Sequence, residues 1–127
     1  MAPIQHLFKA VVEFTSPLGE AAILTRINDD LVPAIDAKIN QRLGPHISGL
    51  AIQKKIKLHS INGITNGFES YPKYILTGDT SKSASFINTR IDRVYDDIKD
   101  LVETDIADQG GTVLHWHRHL TSGAVDS

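Results

Sequence analysis

Residues 50–59 read Leu-Ala-Ile-Gln-Lys-Lys-Ile-Lys-Leu-His, the clearest strand pattern in the chain. The apolar positions 50, 52, 56 and 58 share one face of the predicted strand, and the polar positions 53, 55, 57 and 59 share the other. Two Asn-Gly pairs follow, Asn62-Gly63 and Asn66-Gly67, and such pairs favour tight hairpin turns. A second strand over 68–77 is therefore predicted to return beside the first. Because Pro72 lacks an N–H donor, we expect this returning strand to lie at a sheet edge or to begin after Pro72.

A helix is predicted on each side of this hairpin. After it, apolar residues recur at helical spacing from Ile87 to Ile106, the serines at 81, 83 and 85 are candidate caps, and Gly110-Gly111 ends the helix. Before it, a helix is predicted from Leu18 to Leu43. Pro33 interrupts that stripe, so we expect a kink or two helices, with Asp30 capping the second.

Strand patterns also lie at both ends of this core. The residues 8–14 alternate with a period of two, and 112–121 form a final predicted strand followed by a short tail, 122–127. Strand, helix, strand, strand, helix, strand is the split β-α-β-β-α-β, or ferredoxin-like, order of an α+β fold with an antiparallel sheet. We predict one domain over 1–127. This fold serves many activities and selects none.

Composition narrows the classes of protein. The chain has 127 residues, 41% of them hydrophobic, a formal net charge of -2 and no cysteine, so disulfides and Cys-ligated metals are excluded. No apolar run approaches the ~20 residues that span a bilayer, so we expect no membrane partner. Residues 1–63 carry seven Lys/Arg against five Asp/Glu, and 64–127 carry six against ten. Such halves suit contacts between neighbouring copies.

The sequence His115-Trp116-His117-Arg118-His119 is the most conspicuous cluster. On a strand its three histidines share a face, and His115 and His117 could chelate one metal with a third ligand from elsewhere. Residues two apart lie about 6.6 Å apart and the outer pair about 13 Å, so all three histidines cannot bind one ion. The alternative, which we favour, is that Leu114, Trp116 and Leu120 pack in the core while the histidines face solvent or a neighbouring subunit.

Two charged stretches allow a binding role. Lys54-Lys55-Lys57 and His59 could contact phosphates, and three nearby aromatic residues could stack on bases: Phe68, Tyr71 and Tyr74. The favoured alternative is a solvated face whose lysines protect a strand from unwanted pairing. The carboxylates of Asp92, Asp96 and Asp100 lie four residues apart and could bind a hard cation, although a solvated or subunit-facing surface is favoured. No phosphate-binding loop or nucleophile elbow is present, so we predict no catalytic residue and no cofactor.

The chain resembles tailed-bacteriophage neck and tail-completion (tail terminator-like) proteins. The resemblance lies in the strand 8–14 leading into a helix at 18–43, the extended segment 71–80 that reads Tyr-Pro-Lys-Tyr-Ile-Leu-Thr-Gly-Asp-Thr, and the last long helix at 86–107. The chain departs from the family at Gly78-Asp79-Thr80 and lacks the Pro-x-x-Thr-Gly segment after the first helix.

The resemblance implies a structural assembly protein and not an enzyme. It would form a homo-oligomer, usually a hexameric ring, that joins or caps the tail tube in the virion after synthesis in the host cytoplasm. Its partners would be itself and neighbouring neck or tail-tube proteins, with nucleic acid not expected. Candidate interface residues are Lys54, Lys55, Lys57, Asn62, Asn66, Phe68, Tyr71, Tyr74, His115, His117 and His119.

Two other classes stay open. One is a small dimeric ferredoxin-like enzyme with a His-lined pocket, in which His115, His117, Tyr74 and Arg118 would act as acid–base or ligand groups. The other is a nucleic-acid- or protein-binding module, whose affinity for phosphates would fall steeply with salt.

Overall fold

Within residues 1–121, the computed structural model contains four strands and three α-helices, and it describes side chains as far as His117. The elements are β1 (Ala2–Thr15), α1 (Glu20–Arg26), α2 (Val32–Leu43), β2 (Ser48–Ser60), β3 (Gly67–Thr80), α3 (Ala84–Asp108) and β4 (Thr112–Thr121). The strands form one antiparallel sheet in the order β2-β3-β1-β4. The predicted α+β class with an antiparallel sheet is therefore confirmed, and the arrangement is consistent with a ferredoxin-like fold. The predicted tail, 122–127, lies outside the described residues.

The helices pack on one face of the sheet and form the core with it. The strands contribute every second residue, because alternate side chains of a strand point to the same face. The most deeply buried side chains, each with less than 2% of its surface exposed, include Val12, Phe14, Ile35, Ile39, Tyr74, Leu76, Ile87, Ile91 and Val94. No helix of the described residues covers the opposite face of the sheet. The candidate site lies on that face. Among the described residues, no helix is both long enough and apolar enough to cross a membrane.

The break predicted near Pro33 is confirmed. A π-helical turn, Ile27–Leu31, joins α1 to α2, and Pro33 lies in the first turn of α2. The predicted role of Asp30 as a cap is wrong. Leu31 precedes α2 in a helical conformation (φ −74°, ψ −48°), and no side chain caps the helix. Because the backbone stays helical through the π turn, there is no extended residue from which a side chain could cap it.

The predicted position of Pro72 at a sheet edge or before the strand is wrong. Pro72 is buried within β3, which lies between β2 and β1. The register of β1 with β3 runs from Ala2 opposite Thr80 to Lys9 opposite Lys73 and resumes at Val12 opposite Ser70. An interior strand tolerates the proline because the ladder on one side is interrupted where the donor is missing.

The hairpin turn and the second helix follow the prediction. Gly63 and Asn66 have φ angles of 86° and 56°, the positive values that the Asn-Gly pairs indicate. Ser83 caps α3, since its Oγ accepts a hydrogen bond of 3.2 Å from the N–H of Phe86. In β4, Trp116 packs against the core, but Leu114 is 48% exposed, so its predicted burial is wrong. A register shift opposite Glu13 and Phe14 disrupts the alternation of β4 at that point.

Candidate functional site

Three lysines lie side by side across the face of the sheet that no described helix covers. Lys55 of β2 is directly opposite Lys73 of β3, and Lys73 is directly opposite Lys9 of β1. Lys57 lies two residues along β2 from Lys55 and therefore points to the same side. We call the surface formed by Lys9, Lys55, Lys57 and Lys73 the lysine face. The backbone of β4 continues the row, because His119 pairs with Lys9.

No described side chain neutralises the lysine face. Among the side chains that the structure describes, no carboxylate lies within ion-pair distance of Lys9, Lys55, Lys57 or Lys73. Like charges directly opposite one another destabilise a sheet. The arrangement therefore costs folding stability in the free protein.

A groove of about 510 Å³ runs along the lysine face. Its lining residues are Lys9, Ala10, Val11, Lys55, Lys57, His59, Tyr71, Pro72 and Lys73. The floor of the groove lies where the β1–β3 ladder is interrupted. Ala10 and Val11 therefore have no paired residue in β3. The groove thus combines an apolar floor, a broken stretch of backbone pairing and a rim of ammonium groups.

Two carboxylates lie at one end of this face, and each has a partner. The hydroxyl of Tyr71 donates a hydrogen bond to Glu69, and this bond is the main cause that raises the pKa of Tyr71. Glu13 Oε2 lies 3.5 Å from His117 Nε2. Both carboxylates keep their negative charge, but among the described side chains neither is within ion-pair distance of a lysine of this face.

The opposite surface of the molecule carries negative charge. Helix α3 has seven carboxylates against three basic side chains. Two of the carboxylates make ion pairs with the other helices: Asp97 with Arg42 of α2, and Asp105 with Arg26 of α1. The protein therefore has a basic sheet face and an acidic helix layer.

The structure separates the candidate interface residues into accessible and inaccessible ones. Lys55, Lys57 and Tyr71 lie on the lysine face, whereas Lys54 points to the helix side and pairs with Asp36. Asn62 and Asn66 are exposed at the β2–β3 turn.

Two aromatic candidates and one histidine stand apart from that group. Phe68 stacks on Phe14 in the core, and Tyr74 is fully buried, so their predicted roles as contact or stacking residues are wrong. The alternation of β3 explains this error, because 68 and 74 fall on the same face as the buried Leu76. The side chain of His119 is outside the described residues.

The histidines of β4 do not form a metal site with the described residues. The rings of His115 and His117 are 4.3 Å apart, edge to face, and His117 faces Glu13. No group of three His, Asp or Glu side chains able to hold a metal ion occurs among the described residues. The same holds for the carboxylates predicted on α3.

Only half of the lysine face, Lys55 and Lys57, was predicted from the sequence. Lys9 and Lys73 belong to strands 64 residues apart in the chain, and only the register of the sheet brings them together. Lys9 lies at a polar position of the alternating strand 8–14, which was the one available signal.

Solved structures share the fold of this chain at low sequence identity. AtUAH in complex with glyoxylate is 12% identical with a TM-score of 0.52, and the match covers 96% of this chain and 28% of AtUAH. A hydantoinase/carbamoylase family amidase from Burkholderia ambifaria is 10% identical with a TM-score of 0.52, over 94% of this chain and 29% of the amidase. The chain thus spans less than a third of these proteins. Neither a protein-family model nor a curated protein sequence matches it.

The prediction that the chain is a structural component of a phage neck or tail is wrong. Solved structures that share its fold include AtUAH and a hydantoinase/carbamoylase family amidase. The order of strands and helices on which the resemblance rested is a property of a fold that unrelated proteins use, so it could not identify a phage component. Two further expectations stay predictions: that the chain forms a homo-oligomer, and that it is not an enzyme.

Proposed function

We propose that this chain is a binding domain that holds a small polyvalent anion, a molecule with two or more carboxylate or phosphate groups, on the lysine face. The observation that carries the proposal is the pairing of Lys73 with Lys9 on two interior strands. Lysines on edge strands prevent unwanted strand pairing, which accounts for Lys55 and Lys57 on β2. Interior strands have no free edge, so edge protection does not explain why Lys9 and Lys73 place like charges directly opposite each other.

The dimensions of the lysine face fit a small molecule. Neighbouring strands are about 4.8 Å apart, so the row from Lys55 to Lys9 spans about 10 Å. A groove volume of about 510 Å³ is in the usual range for small-molecule sites. Val11 and Pro72 supply apolar contact area, and the lysines supply charge partners for two or three anionic groups.

The fold is compatible with a binding role, and it also occurs as one part of larger proteins. We assign the chain to the ferredoxin-like class, because its element order and its strand order β2-β3-β1-β4 place two interior strands side by side under the helices. In AtUAH and the amidase the matching region is less than a third of the protein. We propose that such a domain contributes ligand binding through its open sheet face.

Isothermal titration calorimetry with citrate and inorganic tripolyphosphate tests this function. The double variant Lys55→Gln/Lys73→Gln removes two adjacent charges of the row. We expect its affinity for these probes to fall at least tenfold, because charge complementarity supplies much of the recognition. The matched control, Lys38→Gln/Lys99→Gln, removes two charges from the helix layer and should change affinity less than threefold.

Three results would overturn the proposal. They are no measurable binding of either probe, equal losses in the two double variants, and tighter binding of an oligothymidylate than of tripolyphosphate. The last result would assign the face to single-stranded nucleic acid, for which affinity falls linearly with salt on a double-logarithmic plot.

A further inference from the structure

A second cavity lies at the amino end of α3. It has a volume of about 670 Å³ and is bounded by the first residues of β1, the end of β3 and the start of α3. Its lining includes His6, Thr77, Lys82, Ser83, Ala84 and Asn88. None of its lining residues belongs to the groove of the lysine face.

His6 is the unexplained group in this cavity. It is 4% exposed, and its Nδ1 atom is buried with no hydrogen-bond partner. A buried polar atom without a partner destabilises the protein by about 1–3 kcal/mol. Burial also lowers the pKa of His6, so the ring is neutral and offers one donor and one acceptor. Nδ1 is closed off from solvent in the free protein, so a bound group removes this penalty when the ring turns to bring Nδ1 into the cavity.

The amino end of α3 supplies positive potential to the same cavity. The N–H groups of Phe86 and Ile87 are bonded to the side chain and the carbonyl of Ser83, both at 3.2 Å. The N–H group of Ala84, which lines the cavity, precedes the first backbone bond of the helix and has no partner within it. Free N–H groups at the start of a long helix bind anions, and α3 has 25 residues. Lys82 adds a full positive charge beside them.

We propose that this cavity binds a small hydroxycarboxylate. The carboxylate takes the N–H group of Ala84 together with Lys82, and the hydroxyl group bonds to Nδ1 of His6. The site accepts one negative charge and one neutral hydrogen-bonding group, which sets it apart from the polyvalent ligand of the lysine face.

Amide chemical shifts of the ¹⁵N-labelled protein provide the test. The probes are glycolate, 3-hydroxypropionate and 4-hydroxybutyrate, which place the hydroxyl at increasing distances from the carboxylate, with propionate as the probe that lacks it. We expect one of the three to shift the amide of Ala84 and to bind at least fivefold more tightly than propionate. The Lys55→Gln/Lys73→Gln variant should bind it unchanged.

The variant His6→Leu separates a ligand site from a structural histidine. Leucine fills the apolar position without a polar atom, so the free variant should be as stable as the parent or more stable, while affinity for the hydroxycarboxylate falls at least tenfold. The proposal is overturned if no probe shifts the amide of Ala84 or if His6→Leu binds as the parent does. A His6→Leu variant that unfolds at clearly lower urea would also overturn it, because His6 would then have a structural partner.

Discussion

The hydroxyl of Ser16 donates a buried hydrogen bond of 2.8 Å to the side-chain oxygen of Gln109, across 93 positions of the chain. Gln109 in turn donates from Nε2 to Asp105 at 2.9 Å, and Asp105 accepts two hydrogen bonds from Arg26. One polar network therefore joins the end of β1, the end of α3 and the end of α1. Its members are satisfied by one another in a part of the molecule where the surrounding side chains are apolar.

Replacing Gln109 by leucine should lower the free energy of unfolding by about 1–3 kcal/mol, because Ser16 and Asp105 each lose a partner in a buried setting. Urea unfolding followed by circular dichroism measures the change. Gln41→Leu, at an exposed position of α2, is the matched control. Equal urea midpoints for the two variants would show that the network adds no stability.

Tyr74→Phe should leave the protein as stable at pH 7 or stabilise it, because the buried hydroxyl of Tyr74 has no hydrogen-bond partner among the described residues. Burial also raises the pKa of Tyr74 above its ordinary value of 10.0. The folded protein thus keeps the proton when the unfolded chain loses it, and stability is lost as the pH rises above 10.

Urea unfolding between pH 8 and pH 11 checks this behaviour. The parent should lose stability more steeply above pH 10 than Tyr74→Phe does. Tyr71→Phe is measured beside it, and because the pKa of Tyr71 is also raised, its curve should flatten as well, but less than that of Tyr74→Phe. Parallel curves for the parent and Tyr74→Phe would contradict the prediction.

Asp97→Asn should reduce stability by about 1 kcal/mol at neutral pH, a modest value because the guanidinium of Arg42 is one-third exposed. The hydrogen bond from Arg42 lowers the pKa of Asp97. A lowered folded-state pKa gives stability that is present above the ordinary pKa and lost as the pH falls through the folded value. The difference between parent and variant should therefore vanish in strong acid, as measured by urea unfolding from pH 7 to pH 2. If the parent is still more stable than Asp97→Asn at pH 2, the difference comes from packing and not from the charge of Asp97.

Lys73→Gln should stabilise the free protein by about 0.2–1 kcal/mol at low salt, because Lys73 is opposite a lysine on each side. The gain should shrink in 0.5 M salt, which screens exposed charges. Lys57→Gln is the control, since Lys57 is opposite Tyr71. Thermal unfolding at two salt concentrations measures both variants. If Lys73→Gln is less stable than the parent, repulsion between the lysines of this face does not destabilise the free protein.

Gly111→Ala should destabilise the protein by more than 1 kcal/mol, since its new Cβ would lie 2.2 Å from the backbone oxygen of Thr15. The backbone at the start of β4 therefore packs directly on the backbone at the end of β1. Gly19→Ala places its Cβ in open space and serves as the control. The comparison is made by urea unfolding, and a similar small effect of both variants would show that the strands can separate at no cost.

The fold was largely predictable from the sequence because its signals are local. The alternation of 50–59, the Asn-Gly turns and the apolar stripe of α3 each depend on neighbours in the chain. The placement of Pro72 failed because it depends on which side of the strand the missing donor faces. The error at Leu114 has the same origin, since a bulge depends on the partner strand.

The candidate sites were less predictable. Lys9 and Lys73 become neighbours only through a three-strand register, which no local pattern contains. His6 had a visible signal, since it shares an apolar face with Ile4 and Phe8, and a histidine there has few polar neighbours. Its lack of a partner depends on the packing of β3 and α3 around it.

The basic sheet face and the acidic helix layer give the molecule an electric dipole that runs across its two layers. In a field set up by a negatively charged molecule or surface, the protein turns its sheet toward the source before any contact forms. Such orientation raises the rate of productive encounters and weakens as ionic strength increases. The separation of charge between the layers thus acts on the kinetics of association, even though the net charge of the chain is only -2.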